Sequence, residues 1–392
     1  MLTFSHTCIG HSHLQSSRPC QDASFAGTIG DLHLAIVSDG HGGKDYTRSD
    51  IGSQLAVECA TTIFQEVFTS EHLYAPDYCD LRLETLKNLP FCIENHELFS
   101  DNHHLPKEVA NGIRMIQNAI IYRWRDKVRA HTELHPLSPA EIKFATVYDS
   151  LCGPSKDIYV ERLYGCTLVI ALVCKDFWLL MQIGDGRCVA FRTFPDQLVY
   201  EPLPVDHKCF LNKTTSLCDS NYLSIFHYCI GGQSTIPYAI LLGTDGIENS
   251  WGTDDKLYNF YIDLLKKCDS SSHEELIEEL QTALPLLSRV GSHDDMSIAG
   301  IVNTDILRQQ VPALLSYQIE QRRAQLEEIE SRRAELQQKI KHLQEYFDSI
   351  DIERLMRDLQ NMQSDLEQRT KEQQHIKKKL NDLLSSQPSL IN

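Results

Sequence analysis

At 392 residues, with 42% hydrophobic and 23% charged side chains, the chain has material for one large domain or two ordinary ones around a sizeable core. A formal charge of −17, from 37 basic and 54 acidic residues, excludes nucleic acid as the main ligand. The longest apolar runs, such as 168–174, are too short to cross a bilayer, and no basic and apolar leader opens the sequence, so a cytoplasmic protein without a membrane partner is expected.

Near the start, His6, Cys8, His11 and His13 form a knot of potential zinc ligands, but their irregular spacing favours an early strand and loop. The 13 cysteines contain no C-x-x-C pair and are expected to be reduced, mostly buried thiols. From Met1 to about Asp305, short Val, Ile, Leu and Phe runs alternate with Gly, Asp and Ser turns. Strands are expected over 32–37, 168–174, 177–183, 188–192, 238–242 and 296–302. Helices are expected over about 47–68, 107–131 and 257–267. In the second, Val109, Ile113, Ile116, Ile120, Trp124 and Val128 recur on one helical face. The stretches 71–102 and 134–159, rich in Pro, His and polar residues, read as irregular connections that either flap over a site or simply cross the surface.

After Pro312 the texture changes: Gly disappears and Glu, Gln, Lys, Arg and Leu dominate. Ile319, Leu326, Ile329, Leu336, Ile340, Leu343, Phe347 and Ile350 follow steps of three and four, interrupted by Arg322 and Arg333. A second run carries Leu355, Leu359, Met362, Leu366, Ile376, Leu380 and Leu383. A coiled coil is expected, either folded back at the break near 348–351 or paired with another chain through 313–385. From Val311 onward there are 13 basic and 14 acidic residues, so nearly all of the −17 belongs to the front portion. The expected division is a sheet-rich domain over 1–305, a helical tail over 306–385 and a disordered terminus over 386–392.

The chemistry is written at the borders of strands. Strand 32–37 runs into Ser38-Asp39-Gly40-His41-Gly42-Gly43, strand 177–183 into Gly184-Asp185-Gly186-Arg187, and strand 238–242 into Gly243-Thr244-Asp245-Gly246. Ser292-His293-Asp294-Asp295 stands just before strand 296–302. One Asp-Gly is usually only a turn. Four acidic turns at strand ends can gather on one edge of an antiparallel sheet, where the carboxylates repel one another unless cations or protons intervene. Oxygen ligands without Cys favour Mg²⁺ or Mn²⁺, and glycine lets the backbone offer a carbonyl. Two such ions suit hydrolysis of a phosphate ester, with a nearby His protonating the leaving oxygen.

In order, these motifs resemble the metal-dependent type 2C protein serine/threonine phosphatases, in their bacterial branch. Ser12-His13 with Arg18-Pro19-Cys20-Gln21-Asp22-Ala23 is similar to the opening motif; Asp39-Gly40-His41-Gly42-Gly43 to the most distinctive one. Gly165-Cys166-Thr167, Gly184-Asp185-Gly186-Arg187, Thr244-Asp245-Gly246 and Asp294-Asp295-Met296-Ser297 follow in the family's order. The resemblance implies an α+β fold, a β-sandwich of two antiparallel sheets flanked by helices, with the long C-terminal helices appended. It implies a phosphoprotein substrate and two Mg²⁺ or Mn²⁺ ions held by Asp22, Asp39, the Gly40 carbonyl, Asp245 and Asp294. Asp185 with Asp245 would mark a third, weaker site. His41 would be the general acid, working with Asp39, while Thr244 and Asp295 would support the ligands from behind. Gln21 stands where the family often has Glu, so an amide oxygen or water takes that ligand position. The phosphate-binding Arg usually stands at position 17, here Ser17, and Arg18 is the expected replacement.

Two competing readings keep the fold. One is a catalytically impaired scaffold that acts through its coiled coil; retention of Asp39, His41, Asp185, Asp245 and Asp294 argues against it. The other directs hydrolysis to a small phosphorylated metabolite. No G-x-x-x-x-G-K cradle is present, which disfavours a nucleotide-dependent kinase.

Overall fold

The computed structural model describes residues 1–68, 86–93, 105–149, 153–193, 198–203, 206, 208–209, 214–346 and 352–386. They fall into two compact units, Met1–Arg308 and Gln309–Asn392.

The first unit holds two antiparallel sheets. One is five-stranded, in the order β1 (Leu2–Cys8), β13 (Met296–Val302), β12 (Ala239–Gly243), β9 (Arg187–Phe191) and β10 (Val199–Tyr200). The other is six-stranded: β2 (Asp22–Ile29), β3 (Leu32–Asp39), β7 (Leu168–Val173), β8 (Phe177–Ile183), β11 (His227–Gly232) and β4 (Cys92–Ile93). A hairpin of β5 (Thr146–Asp149) and β6 (Gly153–Ile158) stands apart.

Period-2 alternation decides which sheet face meets which layer. Val37, Val169, Ala171, Trp178 and Leu180 point inward to meet Cys188, Ala190, Ile240, Leu242, Ala299 and Ile301 of the facing sheet. The alternate residues Leu34, Ile36, Ile170, Leu172, Leu179 and Met181 face outward to α2 (Ser49–Phe68) and α3 (Lys107–Leu134). The apolar stripe expected on α3 is the buried one: Val109, Ile113, Ile116, Ile120, Trp124 and Val128 are all within 1% of complete burial. The Trp124 indole also donates to the Gly52 carbonyl at 2.9 Å. A Cβ at Gly52 would lie 1.9 Å from the Tyr164 carbonyl oxygen, so only glycine lets α2 approach there. Beyond the five-stranded sheet, α5 (Asp245–Trp251), α6 (Asp254–Ser270) and α7 (His273–Val290) supply further buried apolar residues, among them Ile247, Leu257, Tyr261, Leu265, Leu276 and Leu280. The result is a β-sandwich flanked by helices.

The sequence reading differs from the structure at one connection. Residues 134–159, expected to be irregular, contain α4 (Pro139–Ala145) and the β5–β6 hairpin. Ser138 and Glu141 close a capping box around Pro139, which starts a helix locally. Only 86–93 of the other connection, 71–102, falls within the described residues.

In the second unit, α8 (Thr304–Tyr346), whose first turns belong to the first unit, is followed by α9 (Ile352–Ser385). Gln373 donates to Glu330 at 2.7 Å and accepts from Arg333 at 3.1 Å, while Lys377 pairs with Glu330 at 3.2 Å. These pairs bring α9 back along α8 within one chain. Ile329, Leu336 and Ile340 of the expected seam are buried. The break at 348–351, the seam positions Phe347 and Ile350, and the terminus 387–392 lie outside the described residues.

Candidate active site

The antiparallel pairing brings the acidic turns to one end of the sandwich. Asp22, the first residue of β2, stands directly opposite Asp39, the last of β3. Asp185 follows β8, Asp245 follows β12, and Asp294 precedes β13. The turn at Asp185 needs Gly184, with φ +101° and no space for a Cβ beside Thr167.

The Asp39 and Asp245 carboxyls stand close enough for each to perturb the other. Burial raises the Asp39 carboxyl well above its ordinary range, and the charges of Asp22, Asp245 and Asp185 push the same way. Burial likewise raises Asp22, with Asp295, Asp245 and Asp294 adding to it against a bond from Thr244. Asp245 is pushed up to about 6 by burial, then by Asp185. Burial also raises Asp185, and Asp294, though its surface is open to solvent, is raised by the partial desolvation of its carboxyl. None of the main influences on these five groups is a Lys or Arg; the favourable ones come from hydroxyls, backbone N–H groups and, for Asp294, His13. Such a group of carboxylates needs a cation or a proton to balance its charge.

The donor set fits hard divalent ions. It is all oxygen, and the buried Gly40 carbonyl accepts no hydrogen bond among the described residues. Among those residues, no three His, Cys, Asp or Glu side chains close around one point. Asp294 is exposed, and its Oδ1 accepts from the Asp295 N–H at 2.9 Å.

Residues 9–284 match the family model described as Protein phosphatase 2C. The chain belongs to the protein phosphatase 2C family. No curated protein matches the sequence. Among solved structures, a bacterial serine phosphatase matches with TM-score 0.45 at 14% identity, covering 76% of this chain and 96% of that one. The serine/threonine phosphatase Stp1 from Staphylococcus aureus matches with TM-score 0.43 at 15% identity, covering 76% and 94%. The catalytic domain of the phosphatase PstP, in complex with two manganese ions, matches with TM-score 0.42 at 14% identity, covering 76% and 96%.

Within this phosphatase 2C domain, His41 lies edge-on to Tyr46, 4.7 Å between ring centres, and burial pushes its imidazole down to about 4. It is neutral at pH 7. Gln21 directs its amide N–H groups to Ser49 Oγ (2.5 Å) and the His41 carbonyl (3.3 Å), and Ser49 Oγ donates to that same carbonyl at 2.9 Å. The amide thus braces the turn that carries Gly40 and His41. Thr244 Oγ1 donates to Asp22 Oδ2 at 2.7 Å and accepts from the Ser297 N–H at 2.9 Å. Arg18 is exposed at the end of α1 (His11–Ser16), its N–H bonded to the His13 carbonyl. Arg187 pairs with Glu201, Glu248 and, at 2.9 Å, Asp254, tying β9 to α5 and α6.

Sequence reasoning missed Thr167 and Ser49. Thr167 Oγ1 accepts from the Asp39 N–H at 3.0 Å, and its own N–H donates to the Asp39 carbonyl at 2.8 Å, fixing the Asp39 backbone from both sides. Thr167 stands in the Gly165-Cys166-Thr167 motif just before β7, which marks its place but not this role; for Ser49 there is no sequence signal.

Proposed function

We propose that this chain removes phosphate from phosphoserine and phosphothreonine in proteins, using two divalent cations, Mg²⁺ or Mn²⁺. The observation that carries the reading is the gathering of Asp22, Asp39, Asp185 and Asp245 at strand ends on one end of the sandwich, where desolvation raises all four carboxyls and neighbouring carboxylates raise Asp22, Asp39 and Asp245 further. Asp22, Asp39, the Gly40 carbonyl, Asp245 and Asp294 are the proposed ligands, with Asp185 and Asp245 at a weaker third site. Bound there, the ions would screen the phosphate's charge and acidify an attacking water.

The chain's own residues do the rest. Arg18 presents an exposed guanidinium whose fork matches two phosphate oxygens. An arriving phosphate dianion raises the affinity of the His41 imidazole for a proton, which burial alone holds low. His41 then gives that proton to the departing serine or threonine oxygen. Gln21 and Ser49 keep the His41 backbone in place while this happens. The domain is taken as 1–305. The tail, 306–385, is proposed to fold on itself within one chain and to present its outer faces to a partner protein.

The test is hydrolysis of matched phosphothreonine and phosphotyrosine peptides and a sugar phosphate, with Mn²⁺ present. Preference for the phosphothreonine peptide is expected. Equal or better turnover of the sugar phosphate would move the substrate to small metabolites, and no turnover of any of them would leave a binding module.

A further inference from the structure

We propose that His13 and Asp295 form a positioning clamp that sets the mutual placement of Asp22, Asp245 and Asp294, and so governs how tightly the site takes up divalent cations. The clamp rests on the function proposed above, because it presupposes that those aspartates bind metal.

Asp295 is a carboxylate 3% exposed, and it is fully engaged. Its Oδ1 accepts from the Gly10 N–H at 2.5 Å. Its Oδ2 accepts from the Gln21 N–H at 2.6 Å and from His13 Nδ1 at 2.9 Å. Three separate pieces of chain are thereby fastened to one side chain: the β1–α1 turn through Gly10, α1 through His13, and the residue that begins β2 through Gln21. The last bond fixes the peptide just before Asp22. Asp294 is the neighbour of Asp295 in the chain. A Cβ on Gly246 would lie 2.0 Å from the Asp295 carbonyl oxygen, so the turn behind Asp245 rests directly on the Asp295 backbone. Gly10 is pressed against the same peptide, where a Cβ would approach the Asp294 carbonyl carbon to 2.4 Å.

Asp295 thus touches the backbone behind three proposed ligands without facing the phosphate itself. His13 is 7% exposed, and its ring nitrogen is the clamp's side-chain donor. Without it, a buried carboxylate oxygen loses one of its two partners, and α1 keeps only its backbone bonds to Ser288 and His293. Supports of this kind behind metal ligands typically change affinity by about 10- to 100-fold when removed.

Calorimetric titration of Mn²⁺ into the full chain separates a clamp from ordinary packing, with the metal-free melting temperature measured beside it. His13→Leu is expected to raise the Mn²⁺ dissociation constant by about tenfold or more. His13→Asn, whose side-chain amide can donate from the position of Nδ1, is expected to recover most of that loss. Asp295→Asn is expected to weaken Mn²⁺ binding as His13→Leu does, and it decides the question should His13→Leu fail to fold. A lower melting temperature with unchanged Mn²⁺ affinity in the folded variants would overturn the clamp alone. A wild-type chain that takes up no Mn²⁺ would overturn the underlying metal reading, and the clamp with it.

Discussion

Asp22 and Asp39 face each other across the β2–β3 ladder as directly paired residues. Like charges in that relation destabilise a sheet. Asp245 adds a third carboxyl, close enough to Asp39 for each to perturb the other. The fold thus concentrates negative charge where its strands end, and a divalent cation is the natural counterweight.

The metal-free protein is therefore expected to be acid-stabilised over a defined range. The ordinary carboxyl value is 3.8, and Asp245 is pushed up to about 6 in the fold. A carboxyl raised in this way makes the folded state bind a proton that the unfolded state has released. This contribution thus grows as pH falls from above 6 towards 3.8, and the raised Asp22 and Asp39 carboxyls add to it against the opposite effect of His41, held down to about 4. Melting in chelator at pH 7.5 and 5.5 should show a higher temperature at 5.5, and the difference should shrink with Mn²⁺ in excess. Mn²⁺ at a hundredfold its dissociation constant should itself add about 2.7 kcal/mol. An equal melting temperature with chelator and with Mn²⁺ would argue against a cation in this cluster.

Thr244→Val removes the hydroxyl that donates to Asp22 and accepts from Ser297. Nearly the same shape remains, but the buried Ser297 N–H is left without its acceptor. A loss of about 1–3 kcal/mol in urea unfolding is expected, with Thr244→Ser close to wild type. Equal stability of the Val and Ser variants would show that these two bonds contribute nothing.

The Arg48–Glu141 pair ties the start of α2 to α4, with Nε to Oε1 at 2.6 Å. Arg48 holds the Glu141 carboxyl down at about 2, below its ordinary 4.5. The pair's contribution is present above pH 4.5 and is lost as pH falls towards 2. Arg48→Met should cost about 2 kcal/mol at neutral pH and flatten the acid limb of the stability curve between those values. Parallel acid limbs for wild type and variant would remove the pair from the account.

The tail makes its pairs within one chain: Gln373 with Glu330 and Arg333, and Lys377 with Glu330. Light scattering of the full chain should return the mass of a monomer. The mass of a dimer would mean that these helices exchange partners between chains.

The parts of the fold that could be read early are those whose chemistry is local. Strands 177–183 and 296–302 are continuous apolar runs buried on both faces, and the structure reproduces both spans. Strand β2 escapes such a reading because Ala23, Ser24, Ala26, Gly27 and Thr28 carry little apolar signal; its pairing with β3 defines it. Strand β11 ends in two glycines and hides for the same reason. Helix α7 contains Pro285, which argues against a helix, although the Ser272–Glu275 capping box marks its start. At the site, the aspartates announce themselves as acidic turns after apolar runs. Ser49 under the His41 turn and His13 against Asp295 do not, since both contacts arise only when distant segments meet.

The central claim is that this end of the sandwich is a metal-dependent phosphoester hydrolase. Aryl phosphate hydrolysis by the full chain, with Mn²⁺, with chelator, and in Asp39→Asn, tests it most directly. Turnover is expected to require Mn²⁺ and to disappear in Asp39→Asn while the variant's circular dichroism stays that of the wild type. Turnover that survives chelation, or survives Asp39→Asn, would contradict it.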